Sequence, residues 1–286
     1  MWTSFLTGEA GTGKTEKARH LAEESNLKLC ATTGIASVNL DTVTLHSTLK
    51  YFDTRSLEKR FRTGGLASKI EHLAQNYSGL MIDEASMLGR DQFAIIVRAV
   101  EEYNQLQKRL KTDKVFQIHL VGDFGQLPPV DEPYAFEDPY WGELFEPCTE
   151  RLTENYRQCD PIFLEALQLM RRGDAREAAE LLKPRLRFAR SIADDFEGTT
   201  LYAQNDQVNR HNWSKYRKLI GEEFSLPIAV RGCELPEWKY ILPEDGSHQL
   251  KLKEEALVMI LANRYHEVDG SLVYANGDLD MFGNFK

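Results

Sequence analysis

Eight residues, Gly8-Glu9-Ala10-Gly11-Thr12-Gly13-Lys14-Thr15, set glycines, a lysine and a hydroxyl at a spacing suited to one kind of chemistry. A polyphosphate is wrapped by successive backbone N–H groups, so glycine stands where a Cβ would block the approach or forbid the dihedrals. Gly8, Gly11 and Gly13 serve that need, with Ala10 and Thr12 between them. Lys14 can then reach the β- and γ-phosphates, and the Thr15 hydroxyl can ligate Mg²⁺. A second constellation, Asp83-Glu84, closes the apolar run Leu80-Met81-Ile82. Asp83 can hold the Mg²⁺ shell, while Glu84 can orient and deprotonate an attacking water, a role worth roughly 10²–10⁴ in rate. A third, Gly122-Asp123-Phe124-Gly125-Gln126, carries a glutamine able to hydrogen-bond a γ-phosphate and sense its loss. Together these residues predict a nucleoside triphosphate site.

Each constellation needs an element to aim it. Thr3-Ser4-Phe5-Leu6-Thr7 reads as a short strand and Glu16 to Glu24 as a helix, so a helix N-terminus faces the glycine-rich loop and offers its positive end to an anion. Leu27 to Thr32 is a second strand, followed by a turn and small residues at Thr33-Gly34-Ile35-Ala36-Ser37. His46, in Thr42-Val43-Thr44-Leu45-His46-Ser47, is open to two readings, a capping or core residue and a ligand contact. Tyr51 to Asn76 carries Arg55, Lys59, Arg60, Arg62 and Lys69 and is broken by Gly64-Gly65. It is either a solvated helical insertion or a small basic subdomain flanking a polynucleotide path. Asp91 to Leu110 is an amphipathic helix with Phe93, Ile96, Val97, Val100 and Tyr103 on its core face. Val115 to Val121 is another strand. Strands alternating with helices predict an α/β fold with a parallel sheet flanked by helices, and ligands bind at the carboxyl ends of such strands. The loop 8–15, Asp83-Glu84 and 123–126 are therefore expected on one edge.

Beyond Arg157, the residues 160–172 read as a helix with Ile162, Phe163, Ala166, Leu167 and Met170 inward, closed by Gly173. A second helix over 176–182, a basic tract from Lys183 to Arg190 and a strand Thr199-Thr200-Leu201-Tyr202-Ala203 follow. With 286 residues the chain allows about two domains. A hydrophobic fraction of 42% and a charged fraction of 28% are those of a globular protein. Cys30, Cys148, Cys159 and Cys233 are scattered without metal-ligand spacing and read as reduced thiols of an intracellular, cytoplasmic protein. No apolar run approaches membrane-spanning length, and the N-terminus lacks the charged-then-apolar pattern of a signal peptide. The net charge of −9 argues against a general nucleic-acid coat but leaves room for a local basic groove.

The order GEAGTGKT, ATTGIAS with TLHS, MIDEAS, VGDFGQLPPV and LTENYRQ resembles the RecD-like and Pif-type branch of superfamily-one DNA helicases. The resemblance runs over nearly the whole chain. It implies two RecA-like domains that sandwich ATP and step along single-stranded DNA from five-prime to three-prime. By that likeness, residues 1–150 form the first RecA-like domain, with 51–76 a small inserted subdomain. Residues 151–286 form a partial second one with the start of an inserted β-rich subdomain. Gln126 would read the γ-phosphate, and Arg157 would be an arginine finger offered by the second domain, worth about 10³–10⁵ in hydrolysis rate. Tyr156 stacks on the adenine in this likeness, or else packs in an ordinary core. Thr33, Gly34, Thr44 and His46 would line the DNA path, with Asn205, Val208 and Asn209 as a further box near DNA.

The tail Ala256 to Leu279 resembles the family's late strand pair, with Asp280 where a glycine is usual. The usual glutamine segment before the first strand and the late boxes after Gly277 are not found, so the sequence resembles a helicase core cut at both ends. Slow hydrolysis and poor unwinding are the expectation. Two other classes remain: a P-loop ATPase that switches a partner, and a DNA-binding remnant without turnover.

Overall fold

The computed structural model describes residues 2–186, 198–227, 249–260, 264–265, 272–274 and 279–282. Its first compact unit ends at Phe188 and its second runs from Ala189.

In the first unit the chain runs β1 (Thr3–Gly8), α1 (Lys14–Glu24), β2 (Leu27–Ala31), α2 (Gly34–Asn39), β3 (Val43–Thr44), α3 (Leu45–Leu49), α4 (Thr54–Arg62) and α5 (Gly65–Leu73). It continues through β4 (Gly79–Asp83), α6 (Arg90–Arg109), β5 (Gln117–Gly122), β6 (Thr149–Leu152), α7 (Pro161–Arg172) and α8 (Ala175–Leu182). The strands form one sheet in the order β3-β2-β4-β5-β1-β6, every neighbouring pair parallel. This is the α/β class that the alternation of strand and helix patterns predicts.

The sheet is covered on both faces, which is why its central strands read as continuous apolar runs. Successive side chains of a strand point to opposite faces. Phe5, Leu80, Ile82, Ile118 and Leu120 join one core with Leu45, Leu57, Leu66, Ile70, Phe93 and Val100. Leu6, Met81 and Val121 join another with Ala18 and Ala22 of α1. Phe93, Ile96, Val97, Val100 and Tyr103 are all buried, so the apolar stripe of α6 is core, as its spacing predicts. Each such side chain contributes about 1.5–3 kcal/mol by leaving water.

The segment 51–76 breaks at Gly64, whose φ of 77° is left-handed, into α4 and α5. Both helices send apolar residues (Leu57; Leu66, Ile70 and Leu73) into the larger core, so the segment is not merely solvated.

Two expectations are corrected. Only Ala166 of α7 is buried, and Ile162, Leu167 and Met170 are 41%, 39% and 48% exposed. The helix instead turns Phe163, Ala166 and Leu169 toward Ala178, Leu181 and Leu182, a face about one residue rotated from the predicted one. Its ends are as read, with Asp160 capping the Ile162 and Phe163 amides and Gly173 closing it at φ 92°. No strand forms over 199–203, where the chain is irregular up to the helix that starts at Asn205.

The second unit contains α9 (Asn205–Lys218) and antiparallel pairs of β7 (Glu223–Pro227) with β8 (Gln249–Lys253), β9 (Leu257–Met259) with β12 (Leu279–Met281), and β10 (Arg264–Tyr265) with β11 (Leu272–Tyr274). Residues 276–278 of the late strand pair's motif, Cys233, Arg187 and Arg190 lie outside the described residues. Cys30, Cys148 and Cys159 form no disulfide. No described helix is long and apolar enough to cross a membrane.

Candidate active site

Three adjacent strands, β4, β5 and β1, end on the same edge of the sheet, and each carries one of the constellations. β5 lies between the other two, so the 123–126 turn stands between the loop 8–15 and Asp83-Glu84. β6 runs parallel to β1 on its other side, with Gly8 opposite Leu152. Its carboxyl end therefore delivers Asn155, Tyr156 and Arg157 onto the glycine-rich loop.

Within that loop Gly11 and Gly13 have φ of 84° and 80°, a region open to glycine at no steric cost. The Lys14 ammonium folds back and donates to the carbonyls of Gly8 and Glu9, both at 2.9 Å. Burial lowers the Lys14 pKa, while the carboxylates of Asp123, Glu84 and Asp83 act to raise it. The Thr12 hydroxyl is used internally, donating to Glu9 at 2.8 Å.

The Thr15 hydroxyl donates to Asp83 Oδ2 at 3.2 Å. Asp83 is buried, and burial raises its pKa against the Glu84 amide, the Thr15 hydroxyl and Lys14. Glu84 sits in the left-handed region at φ 54°, a strained conformation for a side-chain-bearing residue. Local bonds hold it there: its N–H donates to Asp83 Oδ1 at 2.8 Å, and the Thr32 hydroxyl donates to its carbonyl at 2.8 Å. Burial raises the Glu84 pKa and Asp83 adds to the rise, with Lys14 and Arg157 opposing.

On the far side, the Tyr156 amide donates to Gly11 O at 2.8 Å and Asn155 Nδ2 to Ala10 O at 2.7 Å. Asn155 Oδ1 accepts from the amides of Arg157 and Gln158 at 3.0 Å each. Tyr156 is 68% exposed and its ring faces Gly13, which excludes ordinary core packing. The result is a cleft of about 570 Å³ lined by Ala10, Gly11, Gly13, Lys14, Thr15, Asp83, Glu84, Gln126, Tyr156 and Arg157. Arg157 reaches it from within the unit that carries the loop, beyond the boundary at 150 drawn from the sequence.

The cleft does not include Thr33, Gly34, Thr44 or His46 among its lining. Thr33 and Thr44 cap α2 and α3, accepting from Ala36 N at 3.2 Å and Ser47 N at 3.1 Å. Gly34 opens α2, which lends Ala36 and Asn39 to the cleft wall. His46 stacks on Tyr51 at 4.4 Å, and burial lowers its pKa. Asn205 is the first residue of α9 in the second unit.

Four contributors escaped sequence reasoning. Asn155 pins the loop; its position in the Asn-Tyr-Arg box, where a side-chain oxygen can take nearby amides, was the available signal. Arg19 and Asn39 line the cleft, joined by a bond of 3.1 Å from the guanidinium to the Asn39 carbonyl. Arg171 grips both oxygens of Asp123, from 48 residues away, and no local pattern announces it.

A family model described as "AAA domain" (AAA_30) matches residues 1–190. The chain belongs to this AAA domain family. Among curated proteins, this AAA-domain chain is 30% identical over 302 residues to the ATP-dependent DNA helicase PIF1 of Saccharomyces cerevisiae (strain YJM789), covering 96% of this chain and 33% of that protein. It is 27% identical over 285 residues to the human PIF1, covering 91% and 41%. Among solved structures, the Pif1 helicase of Candida albicans superposes with a TM-score of 0.69 at 25% identity, over 97% of this chain and 64% of that one. The Bacteroides Pif1 helicase in complex with ADP-AlF3 and ssDNA gives 0.66 at 26%, over 98% and 65%. The resemblance read from the motifs is thus to Pif1-type superfamily-one helicases, and the sheet is their RecA-like P-loop fold. This AAA-domain chain spans about a third to two fifths of the length of these curated relatives.

Proposed function

We propose that this chain is the core of an ATP-dependent DNA helicase, hydrolysing ATP in the cleft under stimulation by single-stranded DNA and translocating from five-prime to three-prime. One observation carries the reading. Lys14, the Thr15–Asp83 pair, Glu84, Gln126 and Arg157 line one cleft, in a chain whose relatives are Pif1 helicases.

The residues present suit a magnesium–triphosphate. Two glycines at positive φ free the loop amides to wrap an anion, and the Lys14 ammonium holds two loop carbonyls that it can exchange for phosphate oxygens. Thr15 Oγ1 and Asp83 Oδ2 offer neighbouring oxygens of the hard type Mg²⁺ takes. That ion would neutralise charge on the phosphate oxygens.

Lys14 holds the β- and γ-phosphates. Glu84, its carboxylate more basic than a free one, takes the proton of the attacking water. Gln126 senses the γ-phosphate, and Arg157 balances charge on the transferring group. Tyr156, exposed beside Gly13, is free to stack on a base. Thr33, Gly34, Thr44, His46 and Asn205 are assigned to the DNA path, the second compact unit, from residue 189 on, to a partial second RecA-like lobe, and the protein to the cytoplasm.

Replacing Glu84 by Gln tests the assignment, because it keeps shape and removes the base. ATP binding should persist while turnover falls by roughly 10²–10⁴. Unchanged turnover would leave a protein in which this cleft is not the reacting site.

A further inference from the structure

The turn that presents Gln126 is built around a buried carboxylate. Asp123 is 2% exposed, and its Oδ1 accepts the Gly125 amide at 3.0 Å while its carbonyl accepts the Gln126 amide at 2.9 Å. Phe124 is fixed between them, packed on Phe5, Tyr134, Phe136 and Trp141 with ring centroids 4.9–5.8 Å apart. Both Asp123 oxygens are then gripped by the guanidinium of Arg171, Nη1 to Oδ2 at 2.9 Å and Nη2 to Oδ1.

Arg171 comes from the last turn of α7, which Gly173 ends immediately afterwards. Its guanidinium lies so close against Gly125 that a Cβ there would collide with it. A planar fork holding two oxygens fixes the carboxylate's rotation, which a single point charge does not.

We infer that Arg171 is a positioning residue, which acts through Asp123 to fix where Gln126 meets the terminal phosphate of a bound triphosphate. The inference rests on the proposed nucleotide site. One consequence of the geometry carries it. The 123–126 turn keeps its shape only while Asp123 keeps its orientation, because the Gly125 amide bonds to the same oxygen that Arg171 holds.

The test is a double-substitution cycle on the 286-residue chain, read by binding of a fluorescent ADP and of a non-hydrolysable fluorescent ATP analogue. In Arg171→Met and Arg171→Lys the preference for triphosphate over diphosphate should drop by roughly fivefold, the scale of one lost hydrogen bond, with ADP affinity nearly unchanged. Gln126→Ala should do the same. Arg171→Met should add little once Gln126 is already Ala, since residues acting in one chain of contacts are non-additive. Where Met at 171 prevents folding, Lys keeps the charge and loses the fork, so it alone supplies the comparison. Effects that multiply in the double variant, an unchanged preference, or an equal loss of ADP affinity would overturn the inference. Wild-type protein that discriminates the two nucleotides yet never turns ATP over would sink the hydrolysis reading and leave this one standing. Normal turnover with a preference indifferent to Arg171 would do the reverse.

Discussion

Substituting Gly11 by alanine separates two roles of glycine in the phosphate loop. At φ 84° an L-residue costs about 1–2 kcal/mol. The new Cβ would also stand 2.6 Å from Arg157 Cβ and 2.8 Å from Asn155 Oδ1. Carbon atoms in good contact are about 3.5–4.0 Å apart, so the 155–157 segment must retreat by roughly 1 Å. That retreat breaks the bonds from Tyr156 N to Gly11 O and from Asn155 Nδ2 to Ala10 O, each worth about 0.5–1.5 kcal/mol net. The sum is roughly 2–5 kcal/mol. Gly13→Ala is the matched control: its φ is 80°, yet its Cβ meets only the Tyr156 ring at 3.8 Å, an ordinary contact. It should cost only the dihedral term, about 1–2 kcal/mol. The difference, about 1–3 kcal/mol, corresponds to roughly 5- to 150-fold in the population of the open segment. Amide hydrogen exchange at 156–158 in nucleotide-free protein measures it. Faster exchange in Gly11→Ala than in Gly13→Ala is expected; equal rates would refute the idea that loop and segment are locked through Gly11.

Arg157→Ala should slow turnover by about 10³–10⁵ if the guanidinium balances transferring charge, with ATP binding largely kept; a loss confined to binding would remove it from the catalytic set. Because burial and Asp83 raise the Glu84 pKa, turnover should decline on acidification from a pH above that of an ordinary glutamate. A pH–rate profile flat through that range would speak against Glu84 as the base. His119, bonded to Ser4 at 2.6 Å and Gln117 at 2.8 Å, is pushed down by burial to a pKa of about 4 from an ordinary 6.5. The unfolded chain therefore binds a proton that the folded one refuses, so stability falls as pH drops from about 6.5 to 4, by up to about 3 kcal/mol. Thermal unfolding across that window should be less pH-dependent in His119→Gln; an identical slope would show that other groups dominate.

Much of the site was legible because its parts are local. Glycines at the Gly8–Thr15 spacing, and carboxylates that end an apolar strand, can each be recognised within ten residues. A parallel sheet then brings strand ends together without any pairwise signal. What escaped depends on contacts across the chain. The Arg171–Asp123 fork joins the end of α7 to the turn after β5, and an arginine in the last turn of a helix reads equally well as a terminus facing water. The inward face of α7 was misjudged for a related reason. An apolar helix with residues on several sides has no preferred face until its neighbour, here the small Ala178 of α8, selects one. Thr199 to Ala203 is β-prone in composition but forms no strand, a case of pairing rather than propensity deciding.

The most direct test is steady-state ATP turnover by the 286-residue chain with and without oligo-dT. The account predicts a rate that rises with the single strand and loses that rise as salt increases. Turnover indifferent to the oligonucleotide at every salt concentration would contradict it and leave a nucleotide switch in place of a motor.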